Sequence, residues 1–381
     1  MGQNQPIHPQ SPLLPGCVPS LPAAFYHDEQ RYRDELARIW ARNWVYAGRD
    51  SDLPPSTMRR AEVAGSQILL VKDAKGRVTA FHNTCAHRGS ELCAEHQRQL
   101  KSQLIVCPYH QWSFSLAGDL VRTPFVSITD DFRKEEHGLI KVAVHLWNGF
   151  LFVCLASEPP PFDGVPDMGP GFLDNWPMDR LVTGHVWVKE LACNWKIFWE
   201  NYNECLHCPG IHPELSQMVP IYSQGYMAPD EAPGWEPGQE AKAPLKPGAS
   251  TWSMNGQPCG PLFEGLTEAE RQAGLNFVTL LPTMFIVAHV DYVRAVSLRP
   301  LGPERTELRA EWLFLPETLA APGFDLANVV DFASLVLKQD GDAAEMNQRG
   351  IRNPAFRGGT LMPQEFDVYH FQQWVQSRMA G

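Results

Sequence analysis

The sequence predicts an α+β protein in which a small antiparallel β domain precedes a larger domain of strands and helices. Short β-rich runs within residues 44–155 are separated by Gly, Asp and Asn turns, the pattern of an antiparallel sheet. Further along, several strand-like runs precede one long amphipathic helix at 325–350. A Pro- and Gly-rich segment at 158–175 separates the two patterns and is the expected linker.

The individual elements follow from hydrophobic spacing and from turn residues. A Pro-spaced arm at 1–24 is expected to be extended and to dock on another surface, which the sequence does not identify. Asp28 should begin a helix with apolar residues every three or four positions, and an aromatic-rich helix is expected at 194–208. The expected strands are 66–71, 79–82, 104–106, 150–155, 276–281, 284–287, 295–300 and 306–315.

Composition and charge exclude several classes of protein. The chain has 381 residues, of which 44% are hydrophobic, and its formal net charge of −11 disfavours binding to nucleic acid or to an anionic membrane. No apolar run predicts a membrane-spanning helix, and the first residues do not resemble a signal peptide, so a cytoplasmic location is expected. Nine cysteines, an odd number, favour reduced thiols, some of them metal ligands, over a disulfide framework.

Two short cysteine–histidine motifs predict a metal centre in the β domain. Cys85 and His87 form a Cys-x-His motif, and Cys107 and His110 form a Cys-x2-His motif that follows after the 19 residues 88–106. Two thiolates and two imidazoles match a [2Fe–2S] centre whose irons have different ligands. Structural zinc fits this spacing poorly. Buried cysteines with incidental histidines are the other alternative.

A second group of candidate ligands lies in the larger domain. His207 and His212 are five positions apart, which on a continuous helix separates them by about 140°. Pro209 and Gly210 should end that helix and let the chain fold back. Alone, this pair is a weak signal. Glu204 and His207 also form the Glu-x-x-His motif of di-iron sites, but such sites need two motifs and a four-helix scaffold, which disfavours this interpretation.

Asp340 strengthens the prediction of a second metal site. It falls on the apolar stripe of the helix at 325–350, where a carboxylate is costly unless it is paired or binds a metal. With His207 and His212 it would form the two-histidine, one-carboxylate set of non-haem Fe(II) sites. A capped or salt-bridged aspartate is the alternative. Asp342 is a weaker candidate because it points away from the stripe.

Together these motifs resemble the oxygenase (α) subunits of Rieske non-haem iron oxygenases over about residues 25–350. The shared patterns are Cys-x-His…Cys-x2-His, Asn-Trp-Lys…Glu-x-x-His-x4-His and Gln-Asp…Gln-Arg-Gly. The resemblance implies a Rieske β domain at 44–157, inserted into a helix-grip (START-like) catalytic domain made of 1–43 and 158–381. It also implies a homotrimer that receives electrons from NAD(P)H through a separate flavin or iron–sulfur reductase, or through a ferredoxin.

The same resemblance assigns roles to the candidate ligands. The two Cys-His motifs would hold the [2Fe–2S] cluster, and His207, His212 and Asp340 would hold the mononuclear Fe(II) that works with O2. Glu204 would link the cluster of a neighbouring subunit to His207. A glutamate at this position is similar to the branch of choline, glycine betaine and carnitine oxygenases, which hydroxylate or N-demethylate trimethylammonium compounds. An aromatic pocket would hold such a cation by cation–π attraction.

Alternative functions stay open at this point. A hydroxylase or O-demethylase of an aromatic carboxylic substrate would use the same metal centres with another pocket. A non-catalytic Rieske electron carrier would need the cluster but not the triad. A ligand-binding helix-grip module with structural zinc would need neither iron centre. The sequence does not distinguish monooxygenation from dioxygenation.

Overall fold

The computed structural model describes residues 12–162, 172–239 and 242–380. They form two compact units. One comprises positions 36–166, and the other combines the positions before 36 with those after 166. The predicted α+β class is confirmed, because antiparallel sheets and helices together make up the chain. Within the described ranges, no helix is both long and apolar enough to cross a lipid bilayer. Positions 163–171 of the expected linker lie outside the described residues.

The N-terminal segment contains a short strand and the first helix. Strand β1 (Val18–Pro19) is followed by a 3₁₀ turn (Ala23–Tyr26), helix α1 (Glu29–Glu35) and a π-helical turn (Leu36–Trp40). The side chain of Asp28 accepts a hydrogen bond from the backbone N–H of Arg31, which caps α1 as the sequence predicts. The described part of the arm pairs antiparallel with a strand near the C-terminus, while residues 1–11 lie outside the described part.

The unit at positions 36–166 is built from ten short strands. Seven form one antiparallel sheet in the order β2-β11-β10-β5-β4-β3-β6, and β7-β8-β9 form a second antiparallel sheet. A 3₁₀ turn occupies Lys134–His137. The strands are β2 (Val45–Arg49), β3 (Thr57–Val63), β4 (Ser66–Lys72), β5 (Val78–His82), β6 (Gln97–Gln99), β7 (Leu104–Val106), β8 (Ser113–Ser115), β9 (Leu120–Arg122), β10 (Lys141–Trp147) and β11 (Phe150–Cys154).

The other unit contains a five-stranded antiparallel sheet and a long helix that packs against it. The strand order is β12-β16-β15-β14-β13, and α7 contacts both α2 and β12. The strands are β12 (Val182–Leu191), β13 (Leu275–Leu280), β14 (Met284–His289), β15 (Val293–Gly302), β16 (Arg305–Phe314) and β17 (Thr360–Leu361). The helices are α2 (Trp195–Tyr202), α3 (Cys208–Ile211), α4 (Pro213–Met218), α5 (Glu268–Ala273), α6 (Pro316–Leu319), α7 (Leu326–Ile351) and α8 (Phe366–Ala380). Three 3₁₀ turns occupy Pro220–Gln224, Pro229–Glu231 and Pro363–Glu365.

Most predicted elements of this unit are confirmed, but the helix expected at 194–208 is wrong. The four later strands and α7 lie within about two residues of their predicted bounds. Helix α2 instead ends at Tyr202, and Pro209 lies at the start of the short helix α3. The reason is local: the carboxylate of Glu204 accepts hydrogen bonds from the backbone N–H groups of Leu206 and His207 and so replaces the helical pattern there.

A buried ion pair fixes the start of α2. Nζ of Lys196 lies 2.6 and 2.7 Å from the two carboxylate oxygens of Glu35, and both side chains are fully buried. The indole N–H of Trp195 donates to the same carboxylate at 2.8 Å. Burial lowers the pKa of Lys196, and the negative charge of Glu35 opposes this effect. The pair therefore ties α1 to the helix that leads into the candidate site.

Replacing Glu35 with alanine should lower the free energy of unfolding by about 3–5 kcal/mol, because Lys196 would stay buried without a counter-charge. Chemical denaturation of the purified protein measures this change. The matched control is Glu29→Ala, which removes an exposed pair with Arg33 on the same helix and should leave the stability nearly unchanged. Equally small effects of the two substitutions would contradict the structural role of the buried pair.

Candidate metal centres

The two cysteine–histidine motifs lie in tight turns directly after strands. Cys85 comes three residues after β5, and Cys107 directly follows β7. The backbone of Gly89 donates a hydrogen bond to the carbonyl of Cys85, and that of Gln111 donates to the carbonyl of Cys107. Gly89 adopts a φ of 75°, which a residue without Cβ tolerates. Each turn thus presents its thiol and its imidazole from the same short loop.

The four side chains divide into a sulfur pair and an imidazole pair. Cys85 and Cys107 are both buried, and burial together with the neighbouring Cys107 raises the pKa of Cys85 to about 11. The rings of His87 and His110 lie 4.8 Å apart between centroids, and Nδ1 of His87 is buried without a hydrogen-bond partner. Two buried, neighbouring thiols and an unsatisfied imidazole nitrogen suit two iron ions, one with sulfur and one with nitrogen ligands.

The second group combines residues from two distant parts of the chain. His207 precedes α3, His212 separates α3 from α4, and Asp340 lies in α7. One ligand atom from each side chain lies within 4.8 Å of the others. Gly341 helps to place Asp340, because a Cβ at this position would come 2.8 Å from the side chain of Leu191 in β12. A side chain at this position would therefore require the buried side chain of Leu191 to shift.

The atoms that face one another in this triad are all hydrogen-bond acceptors or metal ligands. Nε2 of His207 and Nε2 of His212 are 3.2 Å apart, and they lie 3.4 and 2.8 Å from Oδ1 of Asp340. Two imidazole lone pairs and a carboxylate repel each other at such distances unless positive charge lies between them. This donor set is the one that non-haem Fe(II) sites use, so the residues fit that metal.

Outer hydrogen bonds fix which nitrogen of each histidine faces the metal site. Nδ1 of His207 lies 2.6 Å from Oε1 of Glu204, and Nδ1 of His212 lies 2.8 Å from Oε1 of Gln339. The amide of Gln339 is itself oriented by donating to Glu214 at 3.1 Å. Both Nδ1 atoms donate in these hydrogen bonds, so Nε2 is the ring atom of each histidine that a metal ion or a proton occupies.

The charges around the triad also favour a cation. Burial lowers the pKa of His207, but hydrogen bonds and charges from Asp340 and Glu204 outweigh this and raise it to about 9. Burial raises the pKa of Asp340, yet the hydrogen bonds from both histidines leave it below its usual value. The site therefore stabilises positive charge at its centre, whether carried by protons or by a metal ion.

A disulfide brackets one of the histidines. Cys205 and Cys208 are bonded to each other, with their Cα atoms 5.0 Å apart, and His207 lies between them. The expectation of reduced thiols is wrong for this pair, because the turn between α2 and α3 brings two cysteines three positions apart within bonding distance. The seven other cysteines, all within the described part of the chain, are free.

Aromatic side chains that the sequence did not single out pack at the end of α2, five residues before His207. The rings of Tyr202 and Phe285 stack with their centroids 4.2 Å apart, and the hydroxyl of Tyr202 lies 3.3 Å from Oγ1 of Thr279. The amide Nδ2 of the preceding residue, Asn201, lies 3.4 Å from Nε2 of His207. The period-2 alternation of β13 and β14 could have indicated that Thr279 and Phe285 share a face, but not which helix covers it.

A cavity of about 330 Å³ borders the outer side of this site, next to Glu204 and His207. Among its other lining residues are Tyr26, Glu200 and Asn347. Glu200 accepts a hydrogen bond from the hydroxyl of Tyr26 at 2.7 Å, and burial raises the pKa of this carboxyl to about 7. The cavity thus gives access to the carboxylate that holds His207.

Comparisons with known proteins agree with both centres. Residues 43–133 match the family model described as a Rieske [2Fe-2S] domain, and residues 178–381 match the ring hydroxylating alpha subunit (catalytic domain). The glycine betaine monooxygenase oxygenase subunit of Chromohalobacter salexigens is 30% identical over 95% of this chain and 86% of its own. The chloroplastic choline monooxygenase of Amaranthus tricolor is 26% identical over 98% of this chain and 81% of its own. The solved structure of a quaternary ammonium Rieske monooxygenase, described in terms of carnitine oxidation and inter-subunit electron transfer, also matches this chain. Its TM-score is 0.72 at 20% sequence identity, and the match covers 97% of this chain and 96% of the other.

Replacing Gln339 with alanine should weaken Fe(II) binding by about 10- to 100-fold, because His212 would lose the group that fixes its tautomer and ring orientation. Competition with a chelator measures the affinity, and the absorbance of the cluster should stay unchanged. Asp342→Ala is the control in the same helix, since Asp342 pairs with Lys189 and Lys338 near the surface. An unchanged affinity in the Gln339 variant would mean that this hydrogen bond does not support the metal.

Proposed function

Because the chain belongs to the Rieske non-haem iron oxygenases, as an oxygenase subunit, we propose that it hydroxylates an N-methyl group of a small, betaine-like quaternary ammonium compound. Its cofactors are a [2Fe–2S] cluster and a mononuclear iron, and the family uses O2 and electrons from NAD(P)H through a separate reductase. The names of its relatives support the choice of substrate class, since they act on glycine betaine or choline.

We assign the cluster to Cys85, His87, Cys107 and His110, and the iron to the triad of His207, His212 and Asp340. The paired thiols and paired imidazoles support the first assignment, and the three facing ligand atoms support the second. When bound, the two centres supply single electrons and the activation of O2. The chain's own contribution is to orient both Nε2 atoms of the triad and to shield them from solvent.

The aromatic cluster at the end of α2 is compatible with a quaternary ammonium substrate. A trimethylammonium group has no N–H donor, so a protein can hold it only by charge and by aromatic rings. Tyr202 stacks on Phe285, and Trp199 lies 5.5 Å from Tyr202 between ring centroids. Trp199 and Tyr202 are in α2 and Phe285 is in β14, and Asn201 of the same helix lies 3.4 Å from Nε2 of His207.

The proposed reaction is balanced for one turnover. An N–CH3 group, O2, two electrons and two protons give N–CH2OH and water. The product is a hydroxymethylammonium cation. Its O–H group loses a proton to solvent while the C–N bond breaks and leaves its electron pair on nitrogen, which gives formaldehyde and the demethylated tertiary amine. No residue of the chain needs to form a covalent bond with the substrate in this sequence.

We further propose that the chain works as a homotrimer in which Glu204 connects His207 to a histidine of the neighbouring subunit's cluster. Oε1 of Glu204 already holds Nδ1 of His207, and the carboxylate borders the cavity described above. Inter-subunit electron transfer in a structural relative supports this role. A carboxylate that bridges two imidazoles would hold both in register for electron transfer.

The proposed function is tested by substrate-dependent release of formaldehyde from the iron-loaded protein with NADH and a surrogate reductase. Glycine betaine and carnitine should give formaldehyde in proportion to O2 uptake, while salicylate and methoxybenzoate should give no turnover. Activity only on the aromatic acids would leave the metal assignments intact and contradict the quaternary ammonium substrate. An iron content near two per chain in the reconstituted protein would favour an electron carrier that lacks the mononuclear site.

Glu204→Gln should leave the iron content unchanged but slow electron transfer by at least about 10-fold, because an amide still accepts from Nδ1 of His207 but carries no charge toward a second imidazole. The measurement mixes pre-reduced protein with substrate and O2 and follows the reoxidation of the cluster by absorbance. Glu200→Gln, in the same cavity but without contact to a ligand histidine, is the control. Reoxidation at the rate of the unmodified protein would refute the bridging role.

A further inference from the structure

A buried arginine that forms no ion pair with any described residue lies in the central sheet of the catalytic unit. Arg294, in β15, is 3% exposed, and its Nε and Nη1 atoms have no hydrogen-bond partner among the described residues. Burial lowers the pKa of Arg294, and the carboxylate of Asp340 acts in the opposite direction, but a guanidinium keeps its proton at neutral pH. A buried, unpaired cation destabilises a protein, so this side chain calls for an explanation.

The register of the sheet places Arg294 on the face that is directed toward the triad. Arg294 pairs with Val287 of β14, and directly paired residues lie on the same face. Phe285 is two positions from Val287 and therefore shares that face. It stacks against Tyr202, the last residue of the helix that precedes the ligand His207. Arg294 thus faces the same interior as the aromatic stack.

No carboxylate of the described chain neutralises Arg294. Asp291, the nearest acidic residue in sequence, accepts a hydrogen bond from the backbone of Cys259 at 2.8 Å and forms no ion pair with Arg294. Asp340 is held by both ligand histidines. The guanidinium instead lies over the ring of Trp252, with Cζ 5.7 Å from the ring centroid.

Two neighbouring side chains have unused hydrogen-bonding groups as well. Nε1 of Trp252 is buried without a partner, and so are both ring nitrogens of His289. The rings of Trp252 and His289 are 5.7 Å apart between centroids. Burial, with a contribution from Arg294, lowers the pKa of His289 far below its usual value, so the ring is neutral and has one N–H to donate. The side chains of Arg294, Trp252 and His289 therefore present several N–H donors that bond to no described acceptor.

We propose that Arg294 is the anion subsite of the substrate pocket and binds the carboxylate of the substrate, with Trp252 and His289 as further donors. A planar guanidinium matches a carboxylate through two parallel hydrogen bonds. This inference rests on the proposed function and narrows its substrate class. The expected substrates are zwitterions, such as glycine betaine, that carry both a quaternary ammonium group and a carboxylate. Choline has a hydroxyl in place of the carboxylate and is therefore excluded.

The selectivity follows from the cost of leaving Arg294 unpaired. A ligand that supplies a carboxylate neutralises a charge that is already buried, whereas choline would leave it unsatisfied and add a second cation to the pocket. A site built to bind a polar group rejects an analogue without that group by several orders of magnitude. We therefore expect kcat/KM for glycine betaine to exceed that for choline by at least about 100-fold.

The test uses the iron-loaded protein and its Arg294→Met and Arg294→Lys variants. Under anaerobic conditions, titration calorimetry measures the binding of glycine betaine, choline and benzoate without any need for turnover. Arg294→Met should weaken the binding of both carboxylates by at least about 30-fold, and Arg294→Lys should restore part of it as a point charge. Arg299→Gln is the matched control, since Arg299 lies on the same strand and pairs with Glu307.

Thermal unfolding separates this role from a structural one. Arg294→Met should be at least as stable as the unmodified protein without ligand, because it removes an uncompensated buried charge. The rise in melting temperature that glycine betaine causes should disappear in this variant. A strongly destabilised Arg294→Met protein, or undiminished binding of carboxylates to any folded variant, would overturn the anion subsite.

The outcomes also distinguish this inference from the proposed function. If the unmodified protein demethylates choline as well as glycine betaine, the anion subsite is refuted while the quaternary ammonium assignment stands. If benzoate binds through Arg294 and no quaternary ammonium compound is turned over, the anion subsite stands and the proposed function is refuted.

Discussion

The mutual approach of two imidazole nitrogens and one carboxylate oxygen is the constraint on which the catalytic unit depends. Such groups repel one another unless a cation lies between them, and here they are within 3.4 Å. The fold must therefore hold them in place against this repulsion. The turn after α2, the outer hydrogen bonds from Glu204 and Gln339, and the close approach of α7 at Gly341 all serve this purpose.

The candidate ligands could be named from the sequence because their chemistry is tied to short spacings or to a broken pattern. Each thiol in the cluster motifs has its histidine two or three positions away, so one turn suffices to bring them together. Asp340 interrupts an otherwise apolar helical stripe, and a buried carboxylate needs a partner. These signals are local, and they do not require knowledge of which elements pack against each other.

The parts that sequence reasoning missed depend on side chains that compete with the backbone or on contacts between distant elements. Periodicity extended α2 to Cys208, but the carboxylate of Glu204 takes the backbone N–H groups that a helix would use. The partner of His212 is Gln339, which lies 127 positions away in the chain. The alternation of β15 marks Arg294 as facing one side of the sheet, yet only the packed structure shows that its Nε and Nη1 atoms have no hydrogen-bond partner among the described residues.

Two buried cations in the same unit show how a structural charge differs from a charge that awaits a ligand. Lys196 is enclosed with its own carboxylate, Glu35, and the pair is complete within the chain. Arg294 forms no ion pair with any described residue, so its positive charge lies buried on the sheet face that also carries Phe285. The acceptor-rich triad requires a cation, and the guanidinium requires an anion. Under the proposed function, a zwitterionic substrate supplies that anion, and aromatic rings of the same interior attract its ammonium group.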